Sequence, residues 1–427
     1  MNQYKIHRLT DGKKNNGVIK SNKNNKSPNN KNKKNNKIKK KSGKVLTAGR
    51  IVLLTFLSLI FMFFLAINIF LYVYKPPAVD IGGDFDFDLL GPPDENDIDI
   101  EAPAIQPMEA KDRNSDCYTF LILGMDGGSG FIGRTDTMML AMFNVKENKI
   151  SILNIPRDTY VGSNYSNNAL MNGVYARGRT NAINKGIPRG DEASIEGIKY
   201  LCTIVKYTFG VPVNYYVLLD LKGFKVLVDR VGGVDFDVPI RMKYTDPYQN
   251  LYIDLQPGLQ TLDGNKAEQL IRFRHNDDGT GYGRTINGEF YASEDIGRIQ
   301  TQQRFIAALM KKMLNKPSVD TIKGLFEVAT DYMLTNISLA DAGSFAAKIT
   351  NVKLENIRTH TVPGNWIGAV GRYEAYKAET MEIINKYYNP YKKDIPATNF
   401  NIYDKDLGYV AKPEIDIDGK TMNNLTN

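Results

Sequence analysis

From residue 117 onward, hydrophobic and polar positions form short blocks that predict strands. CYTFLILGMD is an apolar run that ends in Gly and Asp, a pattern typical of a buried strand. TMMLAMFNV and KISILNIP flank the polar turn KEN, so they predict an antiparallel pair. NYYVLLDL, VDFDVP and IRTHTVPG predict three further strands.

Other blocks carry apolar residues at helical spacing. SIEGIKYLCTIVKYTFG predicts a helix that ends at Gly210, with an apolar face formed by Ile195, Ile198, Leu201, Cys202, Val205 and Phe209. KGFKVLVDRVGG and GNKAEQLI predict short helices, and DIGRIQTQQRFIAALMKKML predicts a long amphipathic one. LFEVATDYMLTNISLADAGSFAAKITNV and RYEAYKAETMEIINKYYN are interpreted as further helices. Because strands and helices alternate, we expect an α/β domain whose sheet is covered by helices.

The N-terminal part has a different pattern. Residues 51–74 (IVLLTFLSLIFMFFLAINIFLYVY) are 24 consecutive residues without a charge. As a helix this run would be about 36 Å long, enough to cross a hydrocarbon core of about 30 Å. It is longer than the apolar core of a signal peptide, and no small-residue cleavage site follows it convincingly. We therefore predict one uncleaved transmembrane helix.

The formal net charge of +8 is concentrated in the first 50 residues. They contain 16 Lys or Arg and a single acid, Asp11, so residues 51–427 carry a net charge of −7. Such a tail is too poor in apolar residues to fold by itself. Basic residues before the apolar span and acidic ones after it place the N-terminus in the cytoplasm and the rest outside the cell membrane. We expect the tail to contact anionic lipid rather than nucleic acid.

Composition divides the chain into five parts. Residues 1–50 are the disordered basic tail, and residues 51–74 are the transmembrane helix. Residues 75–115 are rich in Pro, Gly and acids, which resist compact packing, so we expect a stalk. Residues 116–390 carry the pattern of one extracellular domain, and residues 391–427 form a C-terminal extension.

Cysteine and histidine usage argues against two common kinds of site. Cys117 and Cys202 lie on the exported side, where a disulfide is permitted, but two buried thiols fit the pattern equally well. The chain has three histidines, His7, His275 and His360, and neither an HExxH nor a CxxC motif. We therefore expect no zinc site and no cysteine redox chemistry. His360 is interpreted as structural, because no Ser or Cys motif accompanies it.

Charged residues collect at the ends of the first predicted strands. Asp126 ends the first strand and precedes a glycine-rich loop, which lacks both the GxGxxG pattern and a Walker lysine. Arg134 and Asp136 stand just before the second strand, and Arg157 follows the third. Taken singly, each of these residues is equally consistent with a solvated side chain at a strand end or with a local salt bridge.

Two later segments carry similar residues. In LIRFRHNDDG, Arg272 and Arg274 project to the same side if the chain is extended after residue 271. On the long helix, Asp295, Arg298 and Gln302 share one face, although Asp295 could simply complement the helix dipole. Arginine forks bind phosphate through paired hydrogen bonds, and carboxylates among arginines suit Mg²⁺. If folding gathers these residues, they form a site for pyrophosphate and a hard cation.

The order of these motifs resembles the LytR-CpsA-Psr family of cell-wall enzymes. The segments are FLILGMDGGSGFIGRTDTMMLAMFNVKENKISILNIPRDTYV, DLKGFKVLVDRVGGVDFDVP, LQPGLQTLDGNKAEQLIRFRH and DIGRIQTQQRF, which together cover about residues 116–312. The resemblance implies a mixed central β-sheet flanked by helices, with an apolar lipid pocket between them. It also implies transfer of a wall glycopolymer, as in teichoic acid or capsule attachment, from a polyprenyl-pyrophosphate carrier to a muramic-acid hydroxyl of peptidoglycan. A pyrophosphatase side activity is compatible with it.

The same resemblance assigns roles to the charged residues. Asp126 and Asp136 resemble the family's ligands for Mg²⁺ or Mn²⁺, and with Arg157 they are the expected catalytic residues. The expected pyrophosphate-binding residues are Arg134, Arg157, Arg272, Arg274, Asp295, Arg298 and Gln302. The connection at residues 276–294 is longer than usual in the family, and we expect a lid or a glycan-contacting loop there.

A second hypothesis belongs to another class of function. The chain could be a non-catalytic binder of polyprenyl phosphate or of anionic wall polymer, with a regulatory role. Turnover distinguishes the two, because only the phosphotransferase releases polyprenyl phosphate.

Overall fold

The computed structural model describes residues 108–125, 131–163, 165–166, 168–286, 289–291, 294–314, 328, 331–404 and 415–426. The predicted tail, the predicted transmembrane helix and most of the predicted stalk lie outside these ranges. Of the helices that fall within them, none is both long and apolar enough to cross a bilayer.

The strands are β1 (Cys117–Met125), β2 (Thr135–Asn144), β3 (Lys149–Asn154), β4 (Tyr215–Asp220), β5 (Val234–Val238), β6 (Met242–Asp246), β7 (Leu251–Leu255), β8 (Gly258–Leu262), β9 (Arg284–Ile286), β10 (Glu289–Tyr291), β11 (Met333–Thr335), β12 (Ile357–Thr361), β13 (Gly364–Ile367), β14 (Arg372–Ala375) and β15 (Lys420–Thr421). A seven-stranded central sheet has the order β11-β4-β1-β2-β3-β12-β15. β1 pairs with β4 and β3 pairs with β12 in parallel, whereas the other neighbouring strands are antiparallel. The expectation of a mixed central sheet is therefore confirmed.

The helices are α1 (Val174–Asn184), α2 (Asp191–Phe209), α3 (Leu221–Arg230), α4 (Gly264–Arg272), α5 (Glu294–Leu314), α6 (Leu339–Ile349), α7 (Lys377–Tyr387) and α8 (Met422–Thr426). They cover both faces of the sheet. On one face, Leu121 of β1 shares a core with Leu201 of α2. On the other, Phe143 of β2 shares a core with Ala307 of α5 and Phe345 of α6. Because both faces are covered, β1 is a nearly continuous apolar run.

Local sequence signals explain where α2 ends. Gly210 follows its last residue and has a φ of +72°, a left-handed conformation that glycine adopts without a steric penalty. Its N–H donates to the carbonyl of Lys206 at 2.8 Å, which satisfies one of the last helical acceptors. The predicted helix and its glycine stop are confirmed.

A second layer packs beside the sheet. The antiparallel pairs β5–β8 and β6–β7 enclose a separate apolar core together with α3, α4 and α5. Phe273, which directly follows α4, is fully buried in this core and meets the ring of Tyr282 edge-on at 5.5 Å. This layer forms one wall of the cavity described below.

Two segments interpreted as continuous helices differ in the structure. RYEAYKAETMEIINKYYN begins with β14 and becomes helical only at Lys377, because β14 pairs with β13 and its residues Tyr373, Glu374 and Ala375 are all buried. The segment at residues 325–352 contains β11, which pairs with β4 in antiparallel orientation. The helix α6 begins only after this strand. The helix interpretation was wrong at residues 372–375, which form a short hairpin with β13, and at residues 333–335, where pairing with the distant strand β4 outweighed the local helical pattern.

Residues near the C-terminus contribute to the same fold. Ile395 and Phe400 are buried in the core that contains α2, and β15 extends the central sheet beyond β12.

At the start of the sheet, Cys117 is buried, and both Cys117 and Cys202 are free thiols. Burial raises the pKa of these thiols to about 11 and about 12, so they are protonated and unreactive at neutral pH.

Candidate active site

A cavity of about 400 Å³ opens at the carboxyl ends of the parallel strands β1 and β4. Ligands commonly bind at this edge of α/β sheets, because side chains that follow parallel strands meet there. Part of its wall is apolar and comes from both the sheet and the second layer: Ile122, Leu123, Met125, Met139, Leu219, Leu221, Phe224, Leu251, Ile271, Phe305 and Ile306. The predicted apolar cavity between the sheet and its helices is present.

The rest of the wall is charged or polar. Six of the residues selected from the sequence line it: Asp136, Arg157, Arg272, Arg274, Arg298 and Gln302. With Asp220, the charged side chains of the wall are four arginines and two aspartates, a net positive set that favours an anion. The structure therefore brings these residues together, while their chemical roles stay predictions.

Three residues selected from the sequence are not among the described residues of the cavity wall. Arg134 is exposed and does not line the cavity. Asp126 lies outside the described residues, although it follows Met125, which does line the cavity. Asp295 belongs to the first turn of α5, and its side chain also lies outside what the structure describes.

Asp136 reaches the cavity because of an irregularity between β1 and β2. Gly124 is paired with Thr137 and Met125 with Thr135, so Asp136 is an extra residue in β2. Such a β-bulge changes the direction of a side chain and is common beside active sites. Asp136 and Thr137 consequently both line the cavity, although adjacent residues of a regular strand point to opposite faces.

Arg157 lies three residues beyond β3, where it donates a hydrogen bond to one carboxylate and forms an ion pair with a second. Its Nη1 donates to Oδ1 of Asp136 at 2.7 Å, and its Nε lies 3.5 Å from Oδ2 of Asp158. The backbone N–H of Asn172 donates to the Arg157 carbonyl at 2.9 Å. The side chain is about one quarter exposed and lines the cavity, so it is held in place and still accessible from there.

Arg272 and Arg274 are positioned by the end of α4. The helix includes Arg272, so the chain is not extended directly after residue 271, yet both arginines line the cavity. Between them, Phe273 is extended and buried, which fixes the backbone. Arg272 donates to Glu268 Oε1 at 3.2 Å and to Gln249 Oε1 at 3.0 Å.

Helix α5 completes the polar wall. Arg298 is 6% exposed, and Gln302 donates from its side-chain amide to the carbonyl of Ile271 at 2.9 Å. That carbonyl lies in the last turn of α4, so Gln302 ties α5 to the arginine-bearing segment. Tyr282, from the long connection, bonds to Thr301 Oγ1 at 2.9 Å and is thereby anchored to the same helix.

Five polar cavity residues were not selected from the sequence for this site: Thr137, Asp220, Tyr244, Gln249 and His275. Asp220 ends β4 opposite Met125 in the parallel register, so its position at a strand end was an available signal. Its Oδ1 accepts from the N–H of Gly223 at 2.6 Å and caps α3. Tyr244 and Gln249 belong to the β6–β7 hairpin, whose closeness to the sheet no local pattern indicates.

His360 lies in the interior rather than on the cavity wall. Its Nδ1 is 2.8 Å from the hydroxyl of Tyr388, and its Nε2 is 3.2 Å from the carbonyl of Ile417. Burial lowers the pKa of His360 to about 4, so the ring is neutral at physiological pH. These contacts fit the structural role expected for it.

The cavity wall offers few ligands for a cation. Within the described ranges, no group of three or more His, Cys, Asp or Glu side chains could hold a metal ion. Of the two wall carboxylates, Asp220 caps α3 through its Oδ1, whereas Asp136 is the oxygen donor type that Mg²⁺ uses when substrate phosphates and water supply its other ligands. The residues present therefore fit a substrate-assisted Mg²⁺ site and do not fit a site built from protein ligands alone.

Comparison with known proteins places this arrangement in a family. The family model described as "LytR_cpsA_psr family" matches residues 94–392. TagU of Oceanobacillus iheyensis, named a polyisoprenyl-teichoic acid–peptidoglycan teichoic acid transferase, is 25% identical over 260 residues, 60% of this chain and 71% of TagU. The regulatory protein MsrR of Staphylococcus aureus is 25% identical over 253 residues, 59% of this chain and 66% of MsrR.

One solved structure supports the fold independently. Protein gbs0355 of Streptococcus agalactiae superimposes with a TM-score of 0.53 at 21% identity, covering 69% of this chain and 95% of that one. At this identity the likeness concerns the fold alone. Because the family model matches well over half of the sequence, the chain belongs to the LytR-CpsA-Psr family.

Proposed function

We propose that this protein is a membrane-anchored phosphotransferase of the cell wall. It moves a wall glycopolymer, of the teichoic acid or capsule class, from a polyprenyl-pyrophosphate carrier to a muramic-acid hydroxyl of peptidoglycan. The proposal rests on one observation: four arginines and an apolar wall line the same cavity at one edge of the sheet. The transferase names of relatives such as TagU support the same class of reaction.

The two parts of the cavity match the two parts of such a carrier. The apolar wall excludes water from a prenyl chain, and each buried CH₂ contributes about 0.8 kcal/mol. Arg157, Arg272, Arg274 and Arg298 face the pyrophosphate. Charge-assisted hydrogen bonds contribute about 1.5–3 kcal/mol each, and they strengthen as charge develops on the transferred phosphate.

Asp136, with Asp126 from the preceding strand end, would hold Mg²⁺ or Mn²⁺. When bound, the cation neutralises charge on the phosphate oxygens. Arg157 holds the Asp136 carboxylate at the cavity wall through its 2.7 Å hydrogen bond, which keeps an oxygen ligand beside the phosphate-binding arginines.

The location of the reaction follows from the sequence. The apolar segment 51–74 anchors the chain in the cell membrane, with residues 1–50 in the cytoplasm and the catalytic domain outside. A prenyl-linked substrate is confined to the same membrane, so anchoring confines the enzyme and the carrier to one surface.

The decisive experiment measures turnover by the full-length protein in detergent. A polyprenyl-pyrophosphate-linked glycan, peptidoglycan fragments and Mg²⁺ are supplied, and released polyprenyl phosphate and glycan-bearing peptidoglycan are quantified. We expect both products in equal amounts, and we expect EDTA to suppress both. Release of lipid phosphate without glycan attachment would indicate a pyrophosphatase instead.

A regulatory binder is the second candidate, because the relative MsrR is named a regulatory protein. Tight binding of the carrier with no product under the same conditions would favour it. The transferase proposal would then fail.

A further inference from the structure

The proposed transfer needs a group that accepts the proton of the attacking hydroxyl. The four cavity arginines cannot do so, since guanidinium groups stay protonated in proteins. The Asp136 carboxylate already accepts a hydrogen bond from Arg157. His275 lines the same cavity, directly after Arg274, and its side chain is exposed to solvent. An acceptor glycan arriving from outside can therefore reach it.

The surroundings of His275 fix the orientation of its ring. The ring meets the Tyr244 ring edge-on, with centroids 5.3 Å apart and planes at 81°. Its Nδ1 lies 3.0 Å from the backbone carbonyl oxygen of Asn276. The backbone of His275 also forms an antiparallel bridge with Gly281. The imidazole therefore has contacts with the Tyr244 ring and at one of its two nitrogens.

The hydrogen bond to Asn276 determines which nitrogen carries the proton. A carbonyl oxygen only accepts, so Nδ1 must be the donor. In the neutral ring this leaves Nε2 with a lone pair and no proton, which is the form a general base requires.

The accepting carbonyl is itself held in place. Asn276 is 9% exposed, and its Oδ1 accepts from the backbone N–H of Lys243 at 2.6 Å. Its own N–H donates to the carbonyl of Thr280 at 2.7 Å, and its side-chain amide donates to Thr280 Oγ1 at 3.0 Å. The start of the long connection thus forms a rigid support for one tautomer of His275.

We propose that His275 is the general base of the transfer reaction, accepting the acceptor's hydroxyl proton at Nε2. The inference rests on the proposed function. The hydroxyl oxygen forms a bond to the phosphorus that bears the glycan, and the bridging P–O bond breaks. Its electron pair remains on the departing polyprenyl phosphate. The proton moves to Nε2, giving an imidazolium that later releases it to the leaving phosphate or to water.

The test compares the pH dependence of turnover in the wild type and in His275→Gln. We expect kcat at pH 7 to fall by about 100-fold or more, with the KM for the carrier changed by less than about threefold. The acidic limb of the wild-type profile is expected to disappear, because the variant lacks the imidazole that must be unprotonated to act as the base. The other ionisable groups of the site are Asp136, Arg157, Asp220, Tyr244, Arg272, Arg274, Asp277 and Arg298. A limb that persists in His275→Gln would assign it to one of these and overturn the proposal.

Two further readouts separate chemistry from structural damage. Added imidazole is expected to restore activity to His275→Ala, which a merely structural role would not permit. His360→Gln, which changes a buried histidine away from the cavity wall, is the matched control and retains the acidic limb. Absence of imidazole rescue together with an unchanged limb would contradict the assignment.

A spectroscopic measurement tests the tautomer without turnover. In full-length protein labelled with ¹⁵N-histidine, His275 is expected to show a protonated Nδ1 and an unprotonated Nε2 at pH 8. A protonated Nε2 would overturn the proposal even in an active enzyme. If the wild type transfers no glycan at all, the proposed function fails and the base assignment fails with it. Full turnover by His275→Gln overturns only the base.

Discussion

At the scale of single residues, Arg157 shows how the site is assembled. It bonds to Asp136, which lies 21 residues earlier, and it is anchored through its own carbonyl by Asn172. Its guanidinium therefore reaches the cavity with little freedom, so less side-chain entropy is lost when a phosphate binds.

Replacing Arg157 tests this arrangement. In Arg157→Ala we expect kcat/KM for glycan transfer to fall by about 10²–10³-fold, because a charge-assisted contact to the reacting phosphate is lost. The melting temperature is expected to change little, since the side chain is partly exposed. Arg189→Ala, at an exposed arginine away from the cavity wall, serves as the matched control.

Arg134 provides a contrast at the same scale. It resembles a family pyrophosphate-binding arginine, but it is exposed and outside the described cavity wall. We therefore expect Arg134→Ala to reduce kcat/KM less than Arg157→Ala in the same assay. An equal or larger loss would show that Arg134 moves onto the substrate.

At the scale of secondary-structure elements, the end of α4 matters most. Gln302 of α5 donates to the Ile271 carbonyl in the last turn of α4, one residue before Arg272. The neighbouring Gln303 makes a comparable bond, 2.8 Å from Nε2 to Thr361 Oγ1, but it does not line the cavity. The two glutamines therefore form a natural pair for comparison.

We expect Gln302→Leu and Gln303→Leu each to lower the free energy of unfolding by about 1 kcal/mol, the usual net value of one hydrogen bond. Only Gln302→Leu should also weaken binding of the lipid carrier, by about five- to tenfold, because it releases the segment that bears Arg272 and Arg274. Urea unfolding and carrier binding measure the two effects. Equal binding by both variants would contradict this role for Gln302.

At the scale of the whole molecule, stability should depend on pH through His360. The ring is 4% exposed, and burial lowers its pKa from 6.5 to about 4. In the unfolded chain the ring gains a proton below pH 6.5, whereas in the folded protein it does not until about pH 4. The contribution of the neutral, buried His360 ring to the free energy of unfolding is therefore complete above pH 6.5 and is lost as the pH falls towards 4.

Between pH 7 and pH 5 this linkage predicts a loss of about 2 kcal/mol in the free energy of unfolding. Urea titrations at the two pH values measure it. His360→Asn is expected to be less stable at pH 7 and to lack this part of the pH dependence, whereas His275→Gln should retain it. A pH dependence that survives in His360→Asn would assign it to other groups.

The sequence by itself determined the elements whose signals are local. β1, β2 and β3 follow from apolar runs and one polar turn, and α2 follows from an apolar stripe that a glycine ends. β11 was missed because its strand character comes from β4, a partner distant in the chain. β14 was missed because it is a four-residue strand of a short hairpin with β13, too short for a clear alternating pattern.

The arginines at strand and helix ends could also be identified from the sequence, but their proximity in space could not. The tertiary structure decided that Asp136, Arg157, Arg274 and Arg298 share one cavity and that Arg134 stays outside its wall. The physical reason is that these positions depend on contacts between separate elements. They are a β-bulge in β2, the parallel register of β1 and β4, and the hydrogen bond between Gln302 of α5 and Ile271 of α4, which are 31 residues apart. None of these contacts leaves a periodic trace in the chain, whereas helices and strands do.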